Sequence, residues 1–526
     1  MLSKIKQDKY AFIFCFLGIV LLVCQFLFRS GFWVDELNFA ESFFDRNLTN
    51  LFKTPLESSQ VSPIFFVFVE KLLFDISQFF SIDIEFFLRI YPLFCGLGIV
   101  FLYYPTVYKL TESKFITLLS YGLLLFNPVF IYYTSEVKPY ICELFYLLLL
   151  INIYLFLSDK YSLKKQLLFI LVSILGILNS FSICSAFLVI SLYDAWKIIN
   201  KKGVFENITF KKNIIVYFST YLSILVFLLI YFFAFFYHHE SLEFMNNYWR
   251  NLFFSFGDIN RLNTYELRNF YYTGYNFYIL CISLFSLLFL KNKFVFILSF
   301  CTITFHIILS YFHYYPFCLR LCFYWFMFIP VMISNVFYQI IKHLKFKIDK
   351  YQTLTFILSS LIIIFGIHYR HFPIYLYSDF NISYPKEAMK YINKHFKDGD
   401  MITVERLWLP SKFFNTYLGN IPPEKIYDLL DGIFENKKLY MPYIEEHNLS
   451  QKDIDYILSS NLNLHIFFIL YYGDLDPAQR IWFITSSNDK NLVKETLEKM
   501  ISLKNSPRRV VFCDTKAETT LCLIEY

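Results

Sequence analysis

From Tyr10 to about Arg370 the chain alternates long apolar runs with short charged patches. The runs are about 18–22 residues long, and about 20 apolar residues span the hydrocarbon core of a bilayer as a helix. The spacing predicts crossings at Tyr10–Phe28, Phe86–Tyr108, Phe115–Tyr133, Tyr140–Leu157, Gln166–Leu178, Phe181–Trp196, Ile214–Tyr237, Tyr271–Leu290, Phe294–Phe312, Leu321–Ile341 and Leu354–Tyr369. About eleven membrane helices are therefore expected. Between the first two runs lies a long loop, residues 29–85. Its segment Ser62–Phe80 is apolar but holds Glu70, Lys71 and Asp75. Those charges favour a helix lying on the membrane surface over one that crosses it.

Beyond Asp379 the pattern becomes that of a water-soluble domain. Tyr384–Phe396 and Asp489–Leu503 carry helical periodicity, while Asp400–Glu405, Ile481–Thr485, Arg509–Cys513 and Thr520–Tyr526 read as strands. The expected architecture is an α-helical polytopic membrane domain, residues 1–371, followed by an α/β domain, residues 372–526.

Composition strengthens this division. Of the 526 residues 57% are hydrophobic and 17% charged, below the roughly 25% charge of soluble domains. Mean hydropathy is +0.46. The net charge of +6 comes from lysines at helix ends, not from one basic face, so no nucleic-acid partner is expected. The partners implied are membrane lipids.

The lysines also orient the chain. Lys4, Lys6 and Lys9 precede the first run, and no small-residue cleavage site follows it, so it reads as a retained signal anchor with a cytoplasmic N-terminus. Alternate loops then hold Lys109 and Lys114; Lys160, Lys164 and Lys165; Lys197, Lys201, Lys202, Lys211 and Lys212; Lys291 and Lys293; and Lys342, Lys345, Lys347 and Lys350. That is the positive-inside pattern. An odd number of crossings places the C-terminal domain outside the cytoplasm. The location expected is a bacterial cytoplasmic (inner) membrane. On the outer side Cys513 and Cys522 either pair as a disulfide or remain separate structural thiols.

Two clusters place charge beside apolar helices on the outer side: Trp33-Val-Asp-Glu-Leu-Asn-Phe-Ala40 and Tyr132-Tyr-Thr-Ser-Glu-Val-Lys-Pro-Tyr140. Ionisable groups near membrane depth are costly and tend to be functional. Asp35, Glu36, Glu136 and Lys138 could share a pocket there. A carboxylate can take a proton from a hydroxyl or amine, and a cation can stabilise a departing phosphate. Arg89 and Arg320 lie at the outer ends of their helices, where a guanidinium either binds phosphate or anchors the interface. His238, His239 and Glu240 are read as interface residues, since adjacent histidines point to different sides of a helix. No metal site is assigned.

In order along the chain these segments resemble the multi-spanning GT-C glycosyltransferases that use polyprenyl-phosphate sugars. The resemblance is to the branch holding bacterial protein O-mannosyltransferases and the lipid A aminoarabinose transferase. Trp33-Val-Asp-Glu36 resembles the acidic motif of the first outer loop, and Gln60-Val-Ser-Pro-Ile-Phe-Phe66 the segment usually written His…Pro-Pro-Leu-Tyr. Leu88-Arg-Ile-Tyr-Pro92 with Phe94-Cys-Gly96 is similar to Leu-Arg-Leu-Pro…Phe-Gly. The Tyr132–Tyr140 segment is similar to Tyr-Tyr-Ser-Gln-Glu-Ala-Arg-Pro-Tyr, and Arg320 with Pro330 to the later Arg-Tyr…Pro helix. Three positions depart from the pattern: Gln60 for the His, Lys138 for the Arg and Ser135 for the Gln.

The resemblance implies a glycosyltransferase acting at the outer face, moving a sugar from a polyprenyl-phosphate-linked donor to a lipid, glycan or protein acceptor. It implies Asp35 as general base, Glu36 orienting the acceptor or the loop, and Glu136 lining the pocket. Lys138, Tyr140, Arg89 and Arg320 would bind substrate, with Lys138 and Arg320 on the lipid phosphate. Direct displacement implies inversion at the anomeric carbon. A divalent ion beside the acids is compatible with the resemblance, which assigns it no ligands. The main alternative is a transporter or flippase for lipid-linked sugars, which calls for paired charges at mid-membrane and internal repeats. A non-catalytic scaffold with an outer sensor domain calls for no acidic pocket at the membrane face.

Overall fold

The computed structural model describes residues 8–29, 31–53, 56, 60–159, 161–180, 182–205, 208–233, 250, 253–255, 277–317, 320–343, 385–405, 426–428, 450–459, 480–485, 489–503, 508–516 and 519–525. The chain forms two compact units. The first joins Met1–Arg29 to Arg46–Leu376, and the second joins Ser30–Asp45 to Tyr377–Tyr526.

The first unit is helical. Its described elements are α1 (Lys9–Phe28), α3 (Leu48–Lys53), α4 (Ile64–Phe79), α5 (Ile84–Leu88), α6 (Ile90–Thr111), α7 (Lys114–Leu125), α8 (Pro128–Tyr133), α9 (Tyr140–Asp159), α10 (Leu163–Asn179), α11 (Ile183–Ile199), α12 (Phe210–Tyr231), α13 (Phe277–Ser286), α14 (Lys293–Tyr311) and α15 (Ile329–His343), the last preceded by a 3₁₀ turn at Phe323–Met327. Element α2 (Val34–Glu41) falls in the second unit.

Caps explain several helix starts. Asp8 accepts the Tyr10 and Ala11 N–H groups, and Ser113, Ser162 and Thr209 each accept one N–H of the helix that follows. The predicted span Phe115–Tyr133 is broken in two. Asn127 accepts the N–H groups of Val129 and Phe130, and Pro128 lacks the N–H that would extend α7, so a new helix begins there.

Among the described residues six helical segments are long and apolar enough to cross a membrane: Lys9–Phe28, Ile84–Thr111, Tyr140–Ser158, Phe210–Tyr231, Lys293–Tyr311 and Phe323–His343. Helices α10 and α11 have 17 residues each. The predicted span Leu354–Tyr369 and the His238–Glu240 cluster lie outside the described residues. Large apolar side chains such as Phe12, Phe16, Phe28, Leu167, Phe218 and Ile230 face outward. In water such a surface would be a liability, whereas lipid solvates it.

Helix α4 differs in one respect from a simple surface helix: Glu70 and Lys71 are buried, and the Lys71 ammonium meets Asp75 at 2.6 Å one turn on. At the far end of α11, Asp194 is buried and accepts the Tyr154 and Tyr221 hydroxyls at 2.6 Å each, which joins α9, α11 and α12 through one carboxylate.

In the second unit α16 (Pro385–His395), α17 (Gln451–Ser459) and α18 (Lys490–Leu503) accompany a five-stranded sheet. Its strands are β1 (Met401–Glu405), β2 (Ile426–Asp428), β3 (Ile481–Thr485), β4 (Arg509–Lys516) and β5 (Thr519–Glu525), in the order β2-β1-β3-β5-β4. The first three are parallel, and β5 pairs antiparallel with both β3 and β4. Strand β3 is buried throughout, as befits the middle of a sheet covered on both faces. The two alternatives for the tail cysteines resolve into one: Cys513 and Cys522 stand opposite each other on β4 and β5 and form a disulfide. At the start of β1 the Asp400 carboxylate takes both arms of Arg480, at 2.8 and 2.6 Å, and the Trp482 indole N–H at 2.9 Å.

Candidate active site

The segment Tyr132–Tyr140 connects α8 to α9, and every residue in it is buried. Its backbone folds on itself. Ser135 N–H donates to the Tyr132 carbonyl at 3.1 Å, and Lys138 N–H donates to the Glu136 carbonyl at 2.8 Å, an i to i+2 turn centred on Val137. Both Glu136 and Lys138 are thereby held on a tight bend rather than on a free loop.

Three neighbours fix that bend. The first is Gly96 of α6. A Cβ added there would lie 2.6 Å from the Thr134 methyl carbon, so only glycine lets the loop come this close to the helix. The second is Arg29, at the end of α1. Its guanidinium lies over the Tyr132 ring, 4.5 Å from the centroid, and donates to Ser135 Oγ at 3.2 Å, the Tyr132 carbonyl at 3.4 Å and the Tyr132 hydroxyl at 3.3 Å. The third is Gln60, whose side-chain oxygen accepts from the Lys138 ammonium at 2.8 Å.

On the α9 side the Tyr140 ring packs edge-on against Tyr133 at 5.3 Å, and Tyr133 meets Phe323 at 4.7 Å. This brings Tyr140 next to the segment that follows Arg320. Arg320 itself is half-buried. Arg89 is buried at the junction of α5 and α6.

The acidic pair has a different setting. Asp35 and Glu36 lie in the first turn of α2, where the unpaired N–H groups of a helix start favour negative charge. Asp35 is half-buried. Glu36 is buried and its carboxylate turns back to accept the Trp33 N–H at 3.2 Å, which ties the acid to the start of its own helix. These two residues belong to the second unit, and Glu136, Lys138, Tyr140, Arg89 and Arg320 belong to the first. Among the described residues no group of three or more His, Cys, Asp or Glu side chains has an arrangement that could hold a metal ion.

Sequence reasoning overlooked Arg29 and Glu143. Arg29 is the first cation after the first apolar run, and Glu143 is a lone acid within the fourth, three residues beyond Tyr140. Gln60 was visible only as a departure from the expected His.

No protein-family model and no curated protein sequence matches the chain. Among solved structures the chain is similar to ArnT from Cupriavidus metallidurans bound to undecaprenyl phosphate. The identity is 10% and the TM-score 0.48, with 97% of this chain and 97% of that chain covered. The apo state of the same ArnT aligns over the same shares at 10% identity and a TM-score of 0.45.

Proposed function

We propose that this protein is an integral membrane glycosyltransferase that moves a sugar from a polyprenyl-phosphate donor to an acceptor at the outer face of the membrane. The observation that carries the proposal is the Tyr132–Tyr140 bend. It buries an acid, Glu136, and a cation, Lys138, on a tight bend; Gln60 accepts from the Lys138 ammonium, while Arg29 and Gly96 fix the bend through Tyr132, Ser135 and Thr134. Burying such charges is costly unless they serve a purpose. The ordered motifs of the sequence supply the chemistry for that purpose.

In the proposed reaction Asp35 accepts the proton of an acceptor hydroxyl or amine as that atom attacks the anomeric carbon. The bond between that carbon and the phosphate oxygen breaks, and the oxygen leaves with the bonding pair. Lys138 and Arg320 neutralise the charge gathering on the departing polyprenyl phosphate. Tyr140 and Arg89 line the donor site, Glu136 lines the same pocket, and Glu36 holds the acidic helix start. A single displacement inverts the anomeric centre. Lysine placement supports a cytoplasmic N-terminus and an outer C-terminal domain. The acceptor is a lipid, a glycan or a protein.

The test uses full-length protein in proteoliposomes supplied with undecaprenyl phosphate carrying different labelled sugars. One such donor should be consumed with release of undecaprenyl phosphate. Changing Lys138 and Arg320 together to Ala should weaken donor binding about tenfold or more. Unchanged donor affinity in that double variant would contradict the proposed phosphate site.

A further inference from the structure

Glu143 is 2% exposed and lies in the first turn of α9, a largely apolar helix. Among the described residues the groups on its carboxylate are hydroxyls. Ser182 Oγ donates to Oε2 at 3.2 Å, and Ser180 is within hydrogen-bonding reach. Ser180 and Ser182 are themselves 2.7 Å apart. Among the described residues no Lys, Arg or His nitrogen lies within 4.0 Å of the Glu143 carboxylate; the ion pairs involve other acids. Asp194, the other hydroxyl-bound acid described above, also has the Lys197 ammonium at 3.9 Å, whereas a neutral residue in place of Glu143 would brace the two serines without the desolvation cost.

The Phe323–Met327 turn, which packs on α9, carries a second buried polar group, the Tyr324 hydroxyl. It is 2.8 Å from His306 Nδ1, while His306 Nε2 is 3.1 Å from the Pro316 carbonyl. A carbonyl only accepts, so Nε2 carries the proton and Nδ1 accepts the Tyr324 O–H. The Tyr324 oxygen is then an acceptor, with the Ser185 hydroxyl and the Trp325 indole N–H within hydrogen-bonding reach. Glu143 and Tyr324 are acceptors, and the two serines can donate or accept. Sugar hydroxyls, which do both, match this mixture.

Position completes the case. Tyr140 and Glu143 are three residues apart and share one face of α9, about 4.5 Å apart along its axis. The Phe323–Met327 turn packs on α9 and begins three residues after Arg320. The two segments read as holding the donor, 138–140 and the one opened by Arg320, thus converge on Glu143 and Tyr324.

We propose that Glu143, with Ser180, Ser182 and Tyr324, forms the subsite that holds the hydroxyls of the donor sugar. It is a specificity-determining residue, set about one helical turn beyond Tyr140 and five residues beyond the Lys138 cation. This rests on the glycosyltransferase reading and assigns its sugar pocket.

The experiment compares binding of bare undecaprenyl phosphate with binding of its glucosyl, mannosyl, N-acetylglucosaminyl and aminoarabinosyl derivatives, to full-length protein in nanodiscs. Wild type should bind at least one sugar-bearing lipid more tightly than the bare one. Glu143→Gln should weaken that lipid about tenfold and leave bare undecaprenyl phosphate unchanged, since a site built around a substrate hydroxyl depends on its polar partner. Ser182→Ala, which leaves the Glu143 carboxyl in place, should show the same selective loss at smaller size. Equal loss for bare and sugar-bearing lipids, or no loss for either, would make Glu143 a structural residue and overturn the assignment. Sugar-bearing lipids bound no tighter than the bare one by wild type would also overturn it, while leaving the phosphate site intact. Failure of wild type to bind bare undecaprenyl phosphate would instead sink the glycosyltransferase reading itself.

Discussion

The Lys138 ammonium donates to the side-chain oxygen of Gln60 across 2.8 Å, which joins two segments 78 residues apart in the chain. In the motif that Gln60–Phe66 resembles this position is His; here the polar group is an amide. A neutral amide oxygen aims the ammonium without cancelling its charge.

Replacing that amide by a carboxylate therefore separates aim from charge. Gln60→Glu should weaken undecaprenyl phosphate binding more than Gln60→Ala does, because a fixed anion competes with the phosphate for Lys138. Gln60→Ala should cost about 1 kcal/mol, or about fivefold in affinity. Binding in nanodiscs checks both. Tighter binding by the Glu variant would show that Lys138 faces no phosphate.

Arg29 makes the complementary prediction. Its planar group stacks on Tyr132 while three hydrogen bonds reach Tyr132 and Ser135. Lys has one charge but neither the fork nor the plane. Arg29→Lys should thus behave almost like Arg29→Ala, each lowering the turnover rate about tenfold through a loosened bend. Hydrogen exchange of the 132–138 amides should rise in both variants. Full rescue by Lys would reduce Arg29 to a simple interface cation.

In the second unit the Asp400 carboxyl sits between opposing influences. Burial pushes its pKa up, but the Arg480 guanidinium, the Lys397 N–H and the Trp482 indole outweigh burial and hold it below the ordinary carboxylate value. A group depressed in the folded state contributes stability above its unfolded value, about 3.9, and loses it as pH falls through the lower folded value. Arg480→Ala removes the largest opposing influence and leaves burial opposed only by the Lys397 N–H and the Trp482 indole. Loss of structure around β1 and β3 should then begin at higher pH than in wild type, above about 4. Hydrogen exchange of the strand amides in the full-length protein, followed from pH 6 downward, measures the shift. Identical acid profiles would mean the ion pair carries no stability.

The helices and strands were legible because their signals are local and repeated. Runs of about 20 apolar residues and alternating strand patterns need no knowledge of tertiary contacts. Ile481–Thr485 has the predicted bounds, and the β4–β5 hairpin was visible from its two flanking runs. Strand β2 was missed because three residues carry too little pattern. The break at Asn127-Pro128 was missed for a different reason: hydropathy is blind to a cap and a missing N–H.

The site was legible only where a motif named it. Lys138 and Glu136 could be singled out from sequence, but the residues that fix their bend could not. Gln60 lies 78 residues from Lys138, and Arg29 lies more than 100 residues from Tyr132 and Ser135; neither spacing nor charge announces such a pairing. Gly96 carried a signal through its motif, yet its physical reason, the approach of Thr134, appears only in three dimensions. Glu143 was hidden by its surroundings, since one acid in an apolar run reads first as a flaw in the run.

Asp35 is the group proposed to take the acceptor's proton. The most direct measurement is sugar transfer from an undecaprenyl-phosphate donor by Asp35→Asn in proteoliposomes, with donor binding followed in parallel. Asparagine keeps the size and cannot accept the proton, so transfer should fall by at least about a hundredfold while donor affinity and folding stay as in wild type. Transfer at the wild-type rate would contradict the assignment of Asp35 as the base.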